Sequence, residues 1–385
     1  MRIASMLLLV LFGTTACHVH SASWPTEGWK MSPPTDQGVD QAALQQLDDE
    51  FARGDHGYVD GFLLIRHGYV VHEKSYQHNY DGLFASAPNK SRGAYNYYDP
   101  DWHPFYQGSA LHTMQSISKS VTSALIGIAI QRGEIPGTKT KVLPYFDGYK
   151  VDDDPRRRSW TLQDLLTMTA GIQWEEDSLP YTDPANSCAL MEASTDWVQF
   201  VLDQPMATDP GSTFLYNSGG TQLLSQILRK ATGMHADEYA AEYLFKPLGI
   251  SNFFWKRTPT GHPDTEGGLY LEPRDLAKIG YLYLRGGIWE GNRILPDGWV
   301  EASTTVQAST GSDLRGLDYG YQWWVESNST GPAYAALGYG GQRLLVIPEL
   351  DLVAVFTGWN IYSTPPLDTR FALERLRRMA GKQRA

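Results

Sequence analysis

The sequence predicts an α/β fold of the α+β kind, a sheet formed by both ends of the chain with a mostly helical domain inserted between them. Two observations predict it. Strand-like runs gather towards the two ends, and helical periodicity fills the stretch from Ser116 to about Leu248. The 385 residues, 42% hydrophobic and 19% charged, can bury a large core and make two domains. The expected division is a leader at 1–22, a sheet domain from 23–108 and 262–385, and a helical domain at 109–261.

Residues 1–16 start with Arg2, run apolar from Met6 to Phe12 and end in small residues, the layout of a secretory leader. The apolar run is too short to span a bilayer. Cleavage after Ala16 would leave Cys17 first, as in a bacterial lipoprotein, although Thr14 stands where such leaders usually carry a larger aliphatic residue. Cleavage near Ala22 is the other option. Both readings lead to an exported protein, periplasmic or lipid-anchored in a bacterial envelope. Cys188 is the one further cysteine, so no internal disulfide framework is expected, and no histidine or lysine adjoins it to make a reactive thiolate.

Residues 61–76 read as a hairpin about His67-Gly68. The stretch 76–105 is polar and aromatic, with Tyr95, Tyr97, Tyr98 and Trp102, and has no period; long loops of this kind often overhang a site. Ile117, Val121, Ala124, Leu125 and Ile128 then fall at the spacing of an amphipathic helix, which Gly133 would end. Further helices are expected at 162–168, 197–202 and 221–231, and at 272–284 with Pro273 near its start. Strands return at 320–325, 344–347 and 352–357, the last two joined by a turn at Pro348-Glu349-Leu350-Asp351, and a helix at 367–379 closes the chain.

Chemistry concentrates at Ser116-Ile117-Ser118-Lys119. Residues three apart share a helix face, so a hydroxyl and an amine meet in the first turn. The helix dipole there favours a developing alkoxide and disfavours a cation. A lysine in that place is expected to be desolvated and neutral, able to take the serine proton. The same residues also fit a plain N-cap with a solvated lysine.

A second constellation is Gly211-Ser212-Thr213-Phe214-Leu215-Tyr216-Asn217-Ser218-Gly219-Gly220, a turn-rich loop entering a helix. A tyrosine hydroxyl near an amine can relay protons. Alone, Tyr216 reads equally as a half-buried aromatic before a turn. A third is Gly338-Tyr339-Gly340-Gly341-Gln342, which leads into a strand; glycines there let backbone N–H groups approach a carbonyl oxygen, or simply make a tight turn.

The net charge of −11, from 32 Lys and Arg against 43 Asp and Glu, provides no basic stripe. That argues against nucleic acid as a partner. No His-Glu-x-x-His occurs, and the one close histidine pair, His18 and His20, lies in the expected flexible N-terminal region, so neither metal nor other cofactor is expected. The lack of Gly-x-Ser-x-Gly argues against an α/β-hydrolase elbow.

Taken in this order, the three elements resemble the serine β-lactamase and penicillin-binding-protein superfamily, in its class C-like branch of esterases and 6-aminohexanoate-dimer hydrolases. Ser116-Ile117-Ser118-Lys119 matches the nucleophile motif, Tyr216-Asn217-Ser218 falls where the family has Tyr-x-Asn, and Tyr339-Gly340-Gly341 falls where β-lactamases have Lys-Thr-Gly. The segments 165–171, 267–269, 273–276, 319–324 and 340–342 look familial too. The resemblance covers most of the chain beyond the leader and implies an antiparallel sheet flanked by helices, the β-lactamase/transpeptidase architecture.

By this resemblance Ser116 forms an acyl-enzyme, Lys119 helps deprotonate it, and Tyr216 protonates the leaving group and later activates water. The backbone N–H groups of Ser116 and Gln342 would form the oxyanion hole, while Ser218, Tyr339, Gly340 and Gly341 would bind substrate. Two departures narrow that substrate. Tyr339 replaces the lysine that holds a β-lactam carboxylate, and Ser218 replaces an asparagine that holds the acylamide side chain. A small-molecule ester or simple amide is therefore expected. The alternatives are a β-lactamase or penicillin-binding D-amino-acid peptidase, and a non-catalytic envelope binding protein. Oligomeric state is not readable from the sequence.

Overall fold

The computed structural model describes residues 24–86, 103–311, 316–326, 332–361 and 366–381. The leader with Cys17 and the aromatic segment with Tyr95, Tyr97, Tyr98 and Trp102 lie outside the described residues.

The strands run β1 (Lys30–Met31), β2 (Val59–Arg66), β3 (Tyr69–Ser75), β4 (His112–Thr113), β5 (Phe254–Trp255), β6 (Leu269–Leu271), β7 (Ile288–Trp289), β8 (Asn292–Arg293), β9 (Asp318–Tyr319), β10 (Trp324–Glu326), β11 (Ala333–Gly338), β12 (Gln342–Ile347) and β13 (Leu352–Gly358). Eight of them form one sheet in the order β1-β3-β2-β13-β12-β11-β10-β9, antiparallel throughout except where β1 joins β3. The chain's two ends therefore meet at β2 and β13. A small sheet, β4-β6-β5, lies beside the site, and β7 and β8 make a separate hairpin.

The helices are α1 (Gln41–Arg53), α2 (Tyr80–Ser86), α3 (Ile117–Gln131), α4 (Leu162–Leu166), α5 (Ser187–Ala193), α6 (Trp197–Asp203), α7 (Ser218–Thr232), α8 (Ala236–Ala240), α9 (Pro273–Leu284), α10 (Trp299–Thr304) and α11 (Thr369–Ala380). The central strands are buried on both faces, which is why Phe62-Leu63-Leu64-Ile65 reads as a continuous apolar run. Phe62 and Leu64 face α1 and α11 with Phe51, Phe356, Leu373 and Leu376; Leu63 and Ile65 face the opposite core with Leu344, Val353 and Ile279. Helix α9 crosses that second face at Gly280, where a Cβ would stand 2.7 Å from Leu344 Cδ1. A larger residue there would have to push the Leu344 and Val353 methyls aside.

Two expectations need correction. Helix α3 is not amphipathic: Ile117 to Ala129 are all buried, and the hydroxyls of Ser118, Ser120 and Thr122 find partners inside the protein. Ser118 Oγ accepts from Leu269 N, Ser120 Oγ donates to Gln322 O, and Thr122 Oγ1 donates to Ser118 O and Thr265 O. A helix buried all round fits the centre of a large domain. The strand expected at 320–325 is interrupted. Gln322 takes φ 62° and turns inward, its amide donating to the carbonyls of Leu165 and Leu166, so a tight turn separates β9 from β10.

Candidate active site

Ser116 sits at the mouth of α3, immediately after Gln115, which holds a left-handed φ of 49°. For a residue with a Cβ this conformation is uncommon, and such strain clusters at functional positions. It is fixed locally: Gln115 Nε2 donates to Thr113 Oγ1 at 2.9 Å, and Met114 O accepts from Ile117 N. The kink turns the chain out of β4 and into the helix with Ser116 facing a cavity of about 870 Å³. Ser116 makes no side-chain cap, which leaves its hydroxyl for Lys119.

Lys119 is 1% exposed. Its ammonium reaches three acceptors, Ser116 Oγ at 2.9 Å, Glu266 O at 2.8 Å and Glu266 Oε2 at 3.1 Å. A neutral lysine was expected here. Burial does press its pKa down, but the opposing charges of Tyr216, Glu266 and Glu176 outweigh that and hold it well above the ordinary value. The buried carboxylates beside Lys119 favour its charged form and offset the cost of burying it.

Glu266 belongs to a group of three carboxylates. Glu192, Asp264 and Glu266 bring oxygens within 4.8 Å of one another, facing Lys119 and Lys256. Burial and the neighbouring Glu266 raise Asp264 to about 7, and burial pushes Glu192 well above the usual carboxylate range. Cys188 lies against the group, its Sγ 3.8 Å from Glu266 Oε1; burial and the same charges push the thiol up, the reverse of a reactive thiolate.

Tyr216 lines the same cavity, 6% exposed, stacked on Trp324 at 5.8 Å with its ring centroid 5.3 Å from Lys119 Nζ. Asn217 caps α7 by accepting from Gly220 N at 2.8 Å. Ser218 is not among the cavity-lining residues, contrary to its expected substrate contact. Its Oγ donates to Glu176 Oε1 at 2.6 Å and its N–H to Glu176 Oε2 at 2.9 Å, so both donors are spent behind the wall. Glu176 also accepts from Trp174 Nε1 and Tyr181 OH, and burial raises its pKa.

Tyr339, Gly340 and Gly341 line the opposite wall. Tyr339 is 36% exposed and meets Tyr181 edge to face at 5.0 Å. Gly341 has φ 117°, and a Cβ there would stand 3.0 Å from Asn360 Nδ2, so the turn requires glycine. Gln342 locks the turn from behind, its amide donating to Tyr339 O and Gly358 O and accepting from Gly358 N.

The structure thus brings Ser116, Tyr216 and Tyr339-Gly340-Gly341 around one cavity, with Lys119 behind Ser116 and bonded to its hydroxyl, and leaves Gln342 and Ser218 outside the lining. Sequence reading did not single out Glu176, Glu266 or the cavity-lining Arg343, and it marked Trp324 only as part of the segment 319–324. Glu266 directly precedes the Gly267-Gly268 pair, the one local mark by which it could have been found.

A mostly antiparallel sheet, a buried central helix and a serine–lysine pair at its mouth define a β-lactamase-type hydrolase. The beta-lactamase family profile matches residues 41–373, and the chain belongs to that family. A 6-aminohexanoate-dimer hydrolase of Paenarthrobacter ureafaciens is 29% identical over 280 residues, covering 67% of this chain and 68% of that protein. Among solved structures, a family VIII carboxylesterase superposes with a TM-score of 0.64 at 14% identity, over 92% of this chain and 98% of the other. The octameric penicillin-binding protein homologue from Pyrococcus abyssi gives 0.64 at 20% identity, over 89% and 77%. These last two likenesses concern the fold.

Proposed function

We propose that the protein is a serine hydrolase that cleaves a carboxylic ester or simple amide through an acyl-enzyme on Ser116. The observation that carries this reading is the meeting of Ser116 and Tyr216 at one cavity, with Lys119 Nζ behind the wall 2.9 Å from Ser116 Oγ and 5.3 Å from the Tyr216 ring centroid. Ser116 Oγ attacks the substrate carbonyl carbon. Its proton passes to the phenolate oxygen of Tyr216, which the fixed cation of Lys119 holds deprotonated. The N–H groups of Ser116 and Gln342 receive the carbonyl oxygen as it becomes an oxyanion. Tyr216 then returns the proton to the departing alkoxide or amine, and water attacks the acyl carbon by the same route in reverse. This assignment makes Lys119 an electrostatic partner and Tyr216 the proton carrier, a division that follows from the acidic surroundings of Lys119.

An ester or amide substrate fits better than a β-lactam, because Tyr339 gives the cavity wall a hydroxyl where a lysine would bring charge. The Paenarthrobacter relative supports the same class. The leader-like layout of residues 1–16 supports export to the envelope, with lipidation of Cys17 as the anchored form. The test compares hydrolysis of p-nitrophenyl butyrate and of nitrocefin by the parent protein and Ser116→Ala. Ester turnover lost in the mutant is expected; nitrocefin cleaved much faster than the ester would overturn the substrate assignment.

A further inference from the structure

We propose that His112 and Asp60 are positioning residues: their buried pair ties β4 to the large sheet and so holds the kink at Gln115 that presents Ser116. The inference rests on the reading of Ser116 as the acylated residue and extends it to the support behind that residue.

His112 opens β4, four residues before Ser116. It is 1% exposed, and Asp60, near the start of β2, is 4% exposed. His112 Nε2 lies 2.9 Å from Asp60 Oδ2, and its Nδ1 lies 2.9 Å from Thr113 O. The other Asp60 oxygen accepts from Tyr80 OH at 2.7 Å; His78 Nε2 stands 4.0 Å from it and is turned to Val59 O. A backbone carbonyl and a carboxylate only accept, so each ring nitrogen donates and the two residues meet as imidazolium and carboxylate. The Phe105 ring closes the pair in, edge to face on His112 at 4.8 Å.

From this pair a run of hydrogen bonds leads to the nucleophile. Thr113 O accepts from the His112 ring, and Thr113 Oγ1 accepts from Gln115 Nε2 at 2.9 Å. The N–H groups of Thr113 and Met114 donate to Pro104 O and Leu269 O, so the strand is held on both sides up to the kink. The left-handed φ of 49° at Gln115 persists only where its surroundings enforce it. His112 and Asp60 line a second cavity of about 580 Å³, which has no lining residue in common with the cavity of Ser116 among the described residues. They therefore act through β4 and not on substrate. A buried ion pair is a poor device for stability, because desolvation consumes most of the attraction, but its directional bonds admit one register. Here that register places the nucleophile.

The test measures kcat and KM for p-nitrophenyl butyrate and the rate of fluorophosphonate addition to Ser116 in the parent, Asp60→Asn, His112→Gln and the double mutant, each well below its own thermal midpoint. Each single change leaves a buried group without its partner and is expected to lower kcat and the addition rate together, by about tenfold or more, while KM stays within about twofold. In the double mutant an amide faces an amide, so part of the loss returns and the two losses do not add. Parental rates in the folded single mutants, or losses that add in the double mutant, would overturn the positioning role and leave the pair a structural tie. Where the single mutants do not fold, Thr113→Val carries the same test, since it keeps the branched side chain and removes the acceptor of Gln115; an addition rate equal to the parent's would break the link. Crystal structures of the parent and a folded mutant read the effect without turnover. The Ser116 Oγ to Lys119 Nζ contact of 2.9 Å is expected to lengthen beyond hydrogen-bond distance, and an unmoved contact contradicts the inference. A contact that moves in a protein whose parent takes no adduct and hydrolyses no ester sinks the hydrolase reading alone, whereas ester turnover with an unmoved contact and parental rates in the mutants sinks the positioning role alone.

Discussion

Lys119 Nζ stands between Ser116 Oγ and Glu266, 2.9 Å from the hydroxyl and 3.1 Å from the carboxylate Oε2, with the Glu266 carbonyl closing its third side. The nucleophile's neighbour is therefore a fully engaged ammonium. Glu266→Gln keeps the backbone acceptor and removes the charge. The expected outcome is a kcat roughly tenfold lower and an alkaline limb of the kcat/KM profile displaced to lower pH, because a buried lysine short of one counter-charge loses its proton sooner. An unmoved limb would show that Glu266 does not hold the cation.

Tyr216→Phe retains the ring that stacks on Trp324 and removes the hydroxyl. Loss of a proton carrier of this kind is expected to lower kcat by about 10²–10⁴-fold with little change in thermal midpoint. Pre-steady-state kinetics with p-nitrophenyl butyrate checks both steps. A mutant that acylates and deacylates at parental rates would remove Tyr216 from proton transfer.

The site was legible in the sequence where chemistry is local. Ser116 and Lys119 are three residues apart on one helix, and Gly340-Gly341 is a contiguous turn. Their environment was not legible. Glu266 reaches Lys119 across 147 residues, and no periodicity marks it; without it, a lysine at a helix start reads as neutral. Ser218 was misplaced for a similar reason, since Glu176, which takes both its donors, lies 42 residues upstream. Helix α3 reads as amphipathic because its serines and threonines look like a wet face, and only packing shows that Gln322, Thr265 and Leu269 supply their partners. The sheet was better specified, because strands buried on both faces write themselves as apolar runs such as Phe62 to Ile65 and Leu352 to Phe356.

The carboxylate group should shape stability against pH. Asp264 is raised to about 7 in the fold from an ordinary value near 3.8 in the unfolded chain. Its contribution is then fully present below about pH 4 and is lost as pH rises through 7, because the folded protein binds the proton more tightly than the unfolded one. Asp264→Asn, which cannot ionise, should lose less stability between pH 5 and 8 than the parent does. Urea midpoints across that range measure it, and parallel curves for the two proteins would contradict the assignment.

Gly341→Ala places a Cβ 3.0 Å from Asn360 Nδ2 at a φ of 117°. Strain of this kind costs about 1–3 kcal/mol. The expected result is a lower thermal midpoint together with a fall in kcat larger than any rise in KM, because the turn carries the Gln342 N–H. A stable mutant with parental kcat would mean that this turn does not present the oxyanion donor.

The most direct measurement is the intact mass of the protein after exposure to a fluorophosphonate, followed by peptide mapping, for the parent and for folded Ser116→Ala. One adduct on the peptide containing Ser116, absent from the mutant, is the result predicted for a serine hydrolase acting through that residue. A folded parent that takes no adduct, or an adduct that persists in Ser116→Ala, would contradict it.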